Sequence, residues 1–388
     1  MAAREASPPR GGPPRVLFVI GGLNMGGSER QLVELVLRTH PELLEATVVT
    51  YDPSHGSELR DRLAGAGVRH AVLGPVPVPP LVRPMVTVSR LHRLVRSVRP
   101  DVIYAWLEEA SVISSAVARG HGIPLVIARR NVSGANIERS RSRALVIRRA
   151  ERSGTLVTGN SNAVIEAARR RGIDPARLRL VRNGHPWAPP LLPPSTAPVT
   201  IGYVARFRPE KGHFRLLSAL ARLPRRLPWR VDLAGDGALV DQVMEMAGEL
   251  GLGERVRSVG PVSDVRAFWA SHSVAALLSD HEGLPNALIE AAFAGRPIIG
   301  TNVGGIPEVV APAGGILVPP DHPELTADAL RRLIEDPSLR QQLGKAAHEQ
   351  AQERFAVEAF VDGHLEVIRE ALALVPRGQD TQTRLLTP

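Results

Sequence analysis

Residues 274–300 read Val274-Ala-Ala-Leu-Leu278-Ser-Asp-His-Glu282-Gly-Leu-Pro285-Asn-Ala-Leu-Ile-Glu290-Ala-Ala-Phe-Ala-Gly295-Arg-Pro-Ile-Ile-Gly300. Short apolar runs at the two ends, Val274–Leu278 and Pro297–Gly300, predict buried β-strands. The segment between them predicts a helix over Pro285–Ala294, because Pro285 suits the first helical position and Gly295 suits the left-handed position just past the end. Strand, helix and strand in this order form the unit from which parallel sheets are built.

The same alternation runs along the rest of the chain. Further strands are predicted at Arg15–Ile20, Ala46–Thr50, Val68–Leu73, Asp101–Ala105, Pro124–Ala128, Thr155–Thr158, Leu178–Val181, Val199–Ala205, Arg230–Ala234, Val256–Val259 and Gly315–Val318. The proline-rich segment 188–198 suits neither a helix nor a central strand, so it separates two sets of strands. The predicted fold class is therefore α/β, with two tandem doubly wound, Rossmann-like domains and a ligand cleft between them, at the carboxyl ends of the strands.

These patterns divide the chain into six parts. A leader rich in proline, glycine and arginine covers residues 1–14, and we expect it to be disordered. The first domain covers 15–187, the linker 188–198 and the second domain 199–356. Helical patterns at Leu325–Ile334, Pro337–Arg354 and Val357–Leu374 follow the last strand, so residues 357–376 are expected to form a C-terminal helix. A polar tail, 377–388, is expected to be loose.

Composition limits the function classes. The 388 residues carry a formal net charge of +9, and all of the basic residues are arginines except Lys211 and Lys345. Such a bias is typical of a GC-rich genome more than of a nucleic-acid-binding protein, although it also suits anionic substrates or membranes.

The absence of cysteine excludes disulfides and thiolate chemistry. With no apolar run of 18 residues and no apolar signal core, the sequence predicts a cytoplasmic protein, with peripheral contact at the inner face of the membrane left open. It also lacks metal-ligand motifs, so no metal site and no cofactor are predicted.

Glu282 and Glu290 flank the predicted start of the helix at Pro285. Free N–H groups and the positive end of the helix dipole make such a start an anion site. One carboxylate is then expected at each end of a ligand whose diphosphate lies between them. The alternative is that both are ordinary surface carboxylates.

Arg206 follows the strand Val199–Ala205, and Lys211 precedes the next helix. Both are expected to face the same cleft, where a guanidinium fork and a compact ammonium suit a diphosphate leaving group. The alternative is a solvated basic turn, which is less persuasive for one of only two lysines.

Three weaker signals lie in the first domain. The turn Gly21–Gln31 contains Gly26 and Gly27, which let the backbone approach a phosphate, and Ser28 with Gln31 fits a capping box. Polar residues follow later strands, notably Arg130 with Asn131, where an acceptor could bind. Finally, Arg141, Arg148 and Arg152 share one helix face, which indicates either a solvated surface or a contact with anionic lipid.

Together, Gly26-Gly27, Asn183-Gly184, Arg206 with Lys211, the Glu282–Glu290 block, Gly304–Glu308 and Gly315–Pro319 resemble the family 4 retaining glycosyltransferases of GT-B architecture. The resemblance extends from about Arg15 to Leu374. It implies that Arg206 and Lys211 bind the donor diphosphate, that Glu282 lies near the donor sugar, and that Glu290 holds the nucleotide ribose. It also implies that Gly283, Leu284, Pro285 and Asn286 line the donor, that Gly26 and Gly27 close on it, and that the last helix crosses back to the first domain.

One departure from that family concerns the acceptor side. Many members carry a histidine after the strand equivalent to Pro124–Ala128 that contacts the donor sugar or the acceptor, whereas this chain has Arg129-Arg130-Asn131 there. Arg130 and Asn131 are therefore only candidates for the acceptor side. The predicted function is retaining transfer of a sugar from a nucleoside-diphosphate sugar to a hydroxyl of a polysaccharide, lipid-linked or small-molecule acceptor. Arg206, Lys211 and Glu282 are the predicted catalytic residues, and no metal is required. A nucleotide-sugar epimerase and a non-catalytic nucleotide-sugar-binding subunit are the alternatives.

Overall fold

The structure is a computed structural model that describes residues 12–24, 26–52, 57–74, 83–132, 141–186 and 198–375, without the side chains of Ser57 and Arg141. The first 11 residues of the predicted leader, the predicted linker up to residue 197 and the whole predicted tail lie outside these residues.

The first sheet contains seven parallel strands in the order β3-β2-β1-β4-β5-β6-β7. Its strands are β1 (Arg15–Ile20), β2 (Glu45–Thr50), β3 (Arg69–Val72), β4 (Val102–Trp106), β5 (Leu125–Arg129), β6 (Leu156–Gly159) and β7 (Leu178–Leu180). The central strands β4 and β5 are buried along their whole length, because helices cover both faces of the sheet.

The second sheet contains six parallel strands in the order β10-β9-β8-β11-β12-β13. Its strands are β8 (Val199–Val204), β9 (Trp229–Ala234), β10 (Val256–Gly260), β11 (Val274–Leu277), β12 (Ile298–Thr301) and β13 (Gly315–Val318). In both sheets the chain begins near the centre, moves outwards, and returns to the other side of the first strand. The loops after β1 and β4, and after β8 and β11, therefore open at the switch points where ligands bind in such sheets.

The described α-helices pack against these sheets or extend beyond them. They are α1 (Gly27–Arg38), α2 (Ser57–Gly65), α3 (Arg83–Val98), α4 (Glu108–His121), α5 (Arg141–Ser153), α6 (Asn162–Arg170), α7 (His213–Leu220), α8 (Val240–Glu249), α9 (Val265–Ala270), α10 (Asn286–Phe293), α11 (Ile306–Val310), α12 (Pro323–Glu335), α13 (Pro337–Arg354) and α14 (Val357–Leu374). Each of the thirteen strands predicted from the sequence lies within one residue of its predicted bounds. None of the described helices is long and apolar enough to cross a membrane.

Helix α14 joins the core of the first domain although it follows the second domain in the chain. Phe360 and Val361 pack in one apolar cluster with Val16, Phe18 and Tyr104 of the first sheet. The second sheet has its own apolar core with α7, α8, α10, α12 and α13. The chain thus passes from the first domain to the second and back.

Two local predictions were wrong. Ser28 does not cap α1, because the helix already starts at Gly27, with Gly26 as its N-cap. Gln31 instead exchanges hydrogen bonds with the backbone of Gly184, at 2.8 and 2.9 Å. Helix α10 starts at Asn286, since Pro285 has an extended ψ of 111° and lies outside the helix as its N-cap. Gly295 adopts the predicted left-handed conformation, with a φ of 73°.

Candidate active site in the interdomain cleft

A cleft with a volume of about 1020 Å³ lies between the carboxyl ends of the two sheets. The first domain contributes the start of α1 and the segments that follow β5, β6 and β7. The second contributes the segments that follow β8, β9 and β11. Every candidate site residue proposed from the sequence lines this cleft: Gly26, Gly27, Arg130, Asn131, Arg206, Lys211, Glu282, Gly283, Leu284, Pro285, Asn286 and Glu290.

Lys211 and Glu282 form an ion pair in the cleft. The ammonium of Lys211 donates to Oε1 of Glu282 at 2.6 Å, and the hydroxyl of Ser279 donates to the same oxygen at 2.7 Å. Buried Tyr203 connects the two loops that carry them, because its hydroxyl donates to the Lys211 carbonyl and accepts from the backbone N–H of Leu278 at 2.9 Å. The ammonium is therefore held at a defined place, with two of its three N–H groups available for a ligand.

Arg206 lies two residues beyond β8, and its side chain is exposed to the cleft. Within the described parts of the chain, its guanidinium makes no ion pair or hydrogen bond. Glu29, at the start of α1 in the other domain, is near enough to feel its charge: burial raises the pKa of Glu29, and the charge of Arg206 partly opposes that shift. Arg206 is therefore a cation available to an anionic ligand.

Glu290 lies in the second turn of α10 with its side chain 12% exposed. Burial raises its pKa to about 7, and Arg30 of the first domain counteracts part of that shift. The guanidinium of Arg30 lies 3.8 Å from the carboxylate. The carboxyl group therefore changes charge near neutral pH at the place where the two domains meet.

The loop that carries Glu282 fits tightly between the domains. A Cβ atom at Gly283 would collide with the carbonyl oxygen of Arg130. Gly304, with a φ of 53°, packs against Glu282 from the other side, and its own Cβ would collide with the carbonyl oxygen of Glu282. Glycine is needed at both positions because the backbones themselves are in contact.

Asn183 and Asn286 join the two walls of the cleft. The Asn183 amide donates to the Leu284 carbonyl at 3.0 Å and to Oδ1 of Asn286 at 2.6 Å. The Asn286 amide donates to the Gly27 carbonyl at 3.0 Å, and a Cβ atom at Gly27 would lie 2.8 Å from Asn286 Nδ2. Gly27 and the start of α10 are therefore in direct contact. The sequence analysis assigned no partner to Asn183, because nothing in its sequence neighbourhood indicates a contact with Leu284, 101 residues away.

Glu308 makes a further contact between the domains. Its carboxylate accepts from the backbone N–H of Asn162 at 2.6 Å, from the Asn162 side chain at 3.0 Å, and from Arg182 at 3.3 Å. Because Asn162 begins α6, the carboxylate lies at the positive end of that helix dipole.

Arg130 and Arg129 follow one another but face different surroundings. Arg129 pairs with buried Glu151 inside the first domain. Arg130 is buried beside the cleft, with its guanidinium 4.0 Å from the centre of the Trp106 ring. Asn131, the next residue, is exposed and also lines the cleft. Trp106 and its neighbour His364 were missed from the sequence, since neither belongs to a recognisable motif.

The basic helix α5 lies away from the cleft. Arg148, Arg149 and Arg152 are exposed on it, and so are the apolar side chains of Leu145 and Val146. The side chain of Arg141 lies outside the described residues. The predicted contact of this face with anionic lipid stays a prediction. Among the described residues, no group of three or more histidine, aspartate or glutamate side chains has the geometry of a metal site.

Two protein-family models match the chain. The model described as Glycosyltransferase Family 4 matches residues 25–186, and the model described as Glycosyl transferases group 1 matches residues 192–350. The chain is 28% identical over 353 residues to the lipopolysaccharide core biosynthesis glycosyltransferase LpsD of Rhizobium meliloti, covering 90% of this chain and 96% of that protein.

A second relative matches over a shorter region. The chain is 34% identical over 177 residues to LpsE of the same organism, also described as a lipopolysaccharide core biosynthesis glycosyltransferase, and it spans about half of that protein's length, 51%. Among solved structures, Anabaena Alr3699/HepE in complex with UDP and glucose has a TM-score of 0.81 at 22% identity, with 92% of this chain and 99% of that chain covered. Fold, cleft and family matches agree: the chain is a glycosyltransferase of the family 4 type with GT-B architecture.

Proposed function

We propose that this glycosyltransferase takes its sugar from a nucleoside-diphosphate sugar and transfers it to an acceptor hydroxyl with retention of anomeric configuration, without a required metal ion. The observation that carries the proposal is the convergence of exposed Arg206, the Lys211–Glu282 pair and the N-terminus of α10 on one cleft. A cation fork, an ammonium and a helix N-terminus together suit a diphosphate, whose charge grows as it leaves.

In this proposal the donor lies mainly against the second domain. Arg206 and the two available N–H groups of Lys211 bind the diphosphate, with the first backbone N–H groups of α10 beside them. Glu282 lies next to the transferred sugar and Glu290 binds the ribose, as the resemblance to the family implies. Gly26 and Gly27 cover the donor from the first domain, close to Asn286.

The reaction breaks the bond between the anomeric carbon and the diphosphate oxygen, and forms a bond from the same carbon, on the same face, to the acceptor oxygen. The acceptor proton passes to the leaving phosphate oxygen, so no protein base is needed. The side chains contribute position and charge stabilisation, and the contacts between the domains exclude water.

Relatives support the class of substrates. The HepE structures contain UDP or UDP-glucose, which supports a uridine nucleotide as the donor. LpsD and LpsE are described as enzymes of lipopolysaccharide core synthesis, which supports a saccharide acceptor of the cell envelope.

Lys211→Ala tests the proposal, with Lys345→Ala as the matched control because Lys345 is the chain's other lysine and is exposed on α13. A thermal-shift panel of UDP-, GDP- and ADP-sugars identifies the donor, and transfer is then measured by release of the nucleoside diphosphate. We expect Lys211→Ala to lower kcat/KM about 100-fold, since it removes a cation from the leaving group. Lys345→Ala should match the wild type.

Unchanged kinetics in Lys211→Ala would contradict the proposal. Conversion of the nucleotide sugar to an isomer without any acceptor would indicate an epimerase, and donor binding without turnover would indicate a binding subunit. The anomeric configuration of the product, read by NMR, tests retention, and activity after EDTA treatment tests metal independence.

A further inference from the structure

Arg130 is a buried cation beside the cleft, and it is 6% exposed. It follows β5, and its guanidinium stacks on Trp106. Nη1 donates to Asn183 Oδ1 at 2.7 Å, and Nη2 lies 3.3 Å from Nε2 of His364. Its Nε has no hydrogen-bond partner. Because Nε is fully buried, the donors that remain for a further group are the second N–H groups of Nη1 and Nη2.

No carboxylate among the described residues lies within ion-pair distance of Arg130. This is unusual for a buried cation, because taking a charge out of water costs several kcal/mol unless an opposite charge compensates it. Its neighbour Arg129 shows the ordinary arrangement, with a guanidinium 2% exposed against the carboxylate of Glu151, which is 1% exposed.

The surroundings of Arg130 leave its charge in place. Burial lowers its pKa to about 10, so it stays a cation at neutral pH. His364 does not compensate it, because burial and the charge of Arg130 hold the histidine pKa well below its usual value and the ring is neutral. The hydroxyl of Tyr104, at 2.5 Å from Nδ1 of His364, holds the ring with Nε2 towards Arg130.

Arg130 lies on the opposite wall of the cleft from the cations of the proposed donor site. Arg206, Lys211 and α10 all belong to the second domain, whereas Arg130 belongs to the opposite wall, the acceptor side in the proposed function. It nevertheless lines the same cleft, with its hydrogen-bond partner Asn183 and its neighbour Asn131. The Arg130 carbonyl packs against Gly283, and Asn183 hydrogen-bonds to Leu284 and Asn286, so an anion bound at Arg130 would lie beside the loop that lines the donor.

We propose that Arg130 is a specificity-determining residue that binds a carboxylate or phosphate group of the acceptor, so that the enzyme selects acidic acceptors over neutral ones. The planar fork of the guanidinium matches both anions, which can satisfy its free donors and compensate its charge. The inference rests on the proposed function, because it assumes that the second domain binds the donor.

The test uses the full chain saturated with UDP and measures binding of glucuronate, glucose 6-phosphate and neutral glucose by calorimetry. We expect the wild type to bind at least one of the two acidic sugars about 10- to 100-fold more tightly than glucose, the usual effect of a hydrogen bond to a charged group. The two acidic probes distinguish carboxylate from phosphate. Arg130→Gln should abolish the preference, Arg130→Lys should keep part of it, and Arg93→Gln, an exposed arginine on α3, should keep all of it.

Equal affinity of the wild type for acidic and neutral sugars would overturn the proposal, and this result does not depend on how well any variant folds. It would also be overturned if Arg130→Gln kept the preference, or if that variant lost UDP affinity while its unfolding midpoint was unchanged, since Arg130 would then serve the donor. Failure of the wild type to bind any nucleotide or nucleotide sugar would instead count against the proposed function.

Discussion

The two walls of the cleft differ in how their charges are balanced. On the second-domain wall, Lys211 pairs with Glu282, and Glu290 faces Arg30 across the cleft. On the first-domain wall, Arg130 is buried without a carboxylate in the described part of the chain. A paired ammonium can share its anion with an arriving ligand at little cost, which suits a diphosphate that binds and leaves. A buried unpaired guanidinium gains most from an anion that the chain does not supply.

The largest expected effect concerns Arg206, the exposed cation of the second-domain wall. Arg206→Ala should lower kcat/KM about 100- to 1000-fold, because it removes a charge directed at the leaving group. Steady-state kinetics with the donor found in the nucleotide-sugar panel measure this. Arg206→Lys should restore part of the activity, and Arg222→Ala, an exposed arginine after α7, should match the wild type. If Arg206→Ala weakened donor binding but kept kcat, Arg206 would bind the donor and the transition state equally. A different cation of the second-domain wall would then have to stabilise the leaving group.

A smaller effect is expected at Glu290, where the two walls meet. Its pKa of about 7 means that the carboxylate forms as the pH rises from 6 to 8. Because ribose hydroxyls would donate to the ionised form, UDP-glucose should bind more tightly over that range. Glu290→Gln should bind about tenfold more weakly at pH 8 and show a flat pH profile by calorimetry. A pH-independent wild type would remove Glu290 from the ribose site.

The raised pKa of Glu290 also predicts how the stability of the protein changes with pH. Its folded-state pKa is raised above the ordinary value of 4.5, so its stabilising contribution is complete below pH 4.5 and is lost as the pH rises through about 7. The unfolding midpoint of Glu290→Gln should therefore rise relative to that of the wild type between pH 5 and pH 8.

The smallest effect is expected at Glu308, which joins the walls outside the cleft. Glu308→Gln removes the negative charge at the start of α6 and weakens the contacts to Asn162 and Arg182. We expect a KM for the donor that is raised about threefold, with kcat little changed, and a larger radius of gyration in small-angle scattering. Glu349→Gln, on the exposed face of α13, is the matched control. An unchanged radius and KM would show that Glu308 does not hold the domains together.

Much of the fold follows from local patterns. Short apolar-rich runs of four to seven residues predicted all thirteen strands. The central strands β4 and β5 are apolar at nearly every position because they are buried on both faces, whereas the edge strands β3 and β7 are only partly buried. The left-handed conformation of Gly295 was also predicted correctly from the sequence. The predicted capping box at Ser28 and Gln31 was wrong because a tertiary contact replaces it. Gln31 hydrogen-bonds to Gly184, 153 residues away, instead of capping its own helix.

The sequence likewise predicted only part of the candidate site. Arg206, Lys211, Glu282 and Glu290 could be proposed from the sequence because the first three lie between a strand and the next helix and Glu290 lies in the second turn of such a helix, at a fixed spacing from Glu282. Their catalytic and donor-binding roles stay predictions. Arg130 could be named only as a weak acceptor-side candidate. Its role depends on its contacts with Trp106, Asn183 and His364, and no short sequence motif connects these residues to it.

By its sequence alone, this chain determines two doubly wound domains, a cleft at their strand ends, and the charged loops of the second-domain wall, because hydrophobic period and turn residues report on geometry within a few positions. Only the tertiary structure decided that α14 brings His364 beside Arg130, 234 residues apart, and that Glu290 meets Arg30 across the cleft. The balance of a buried charge depends on every group packed around it, and those groups come from distant segments that meet only when the domains assemble.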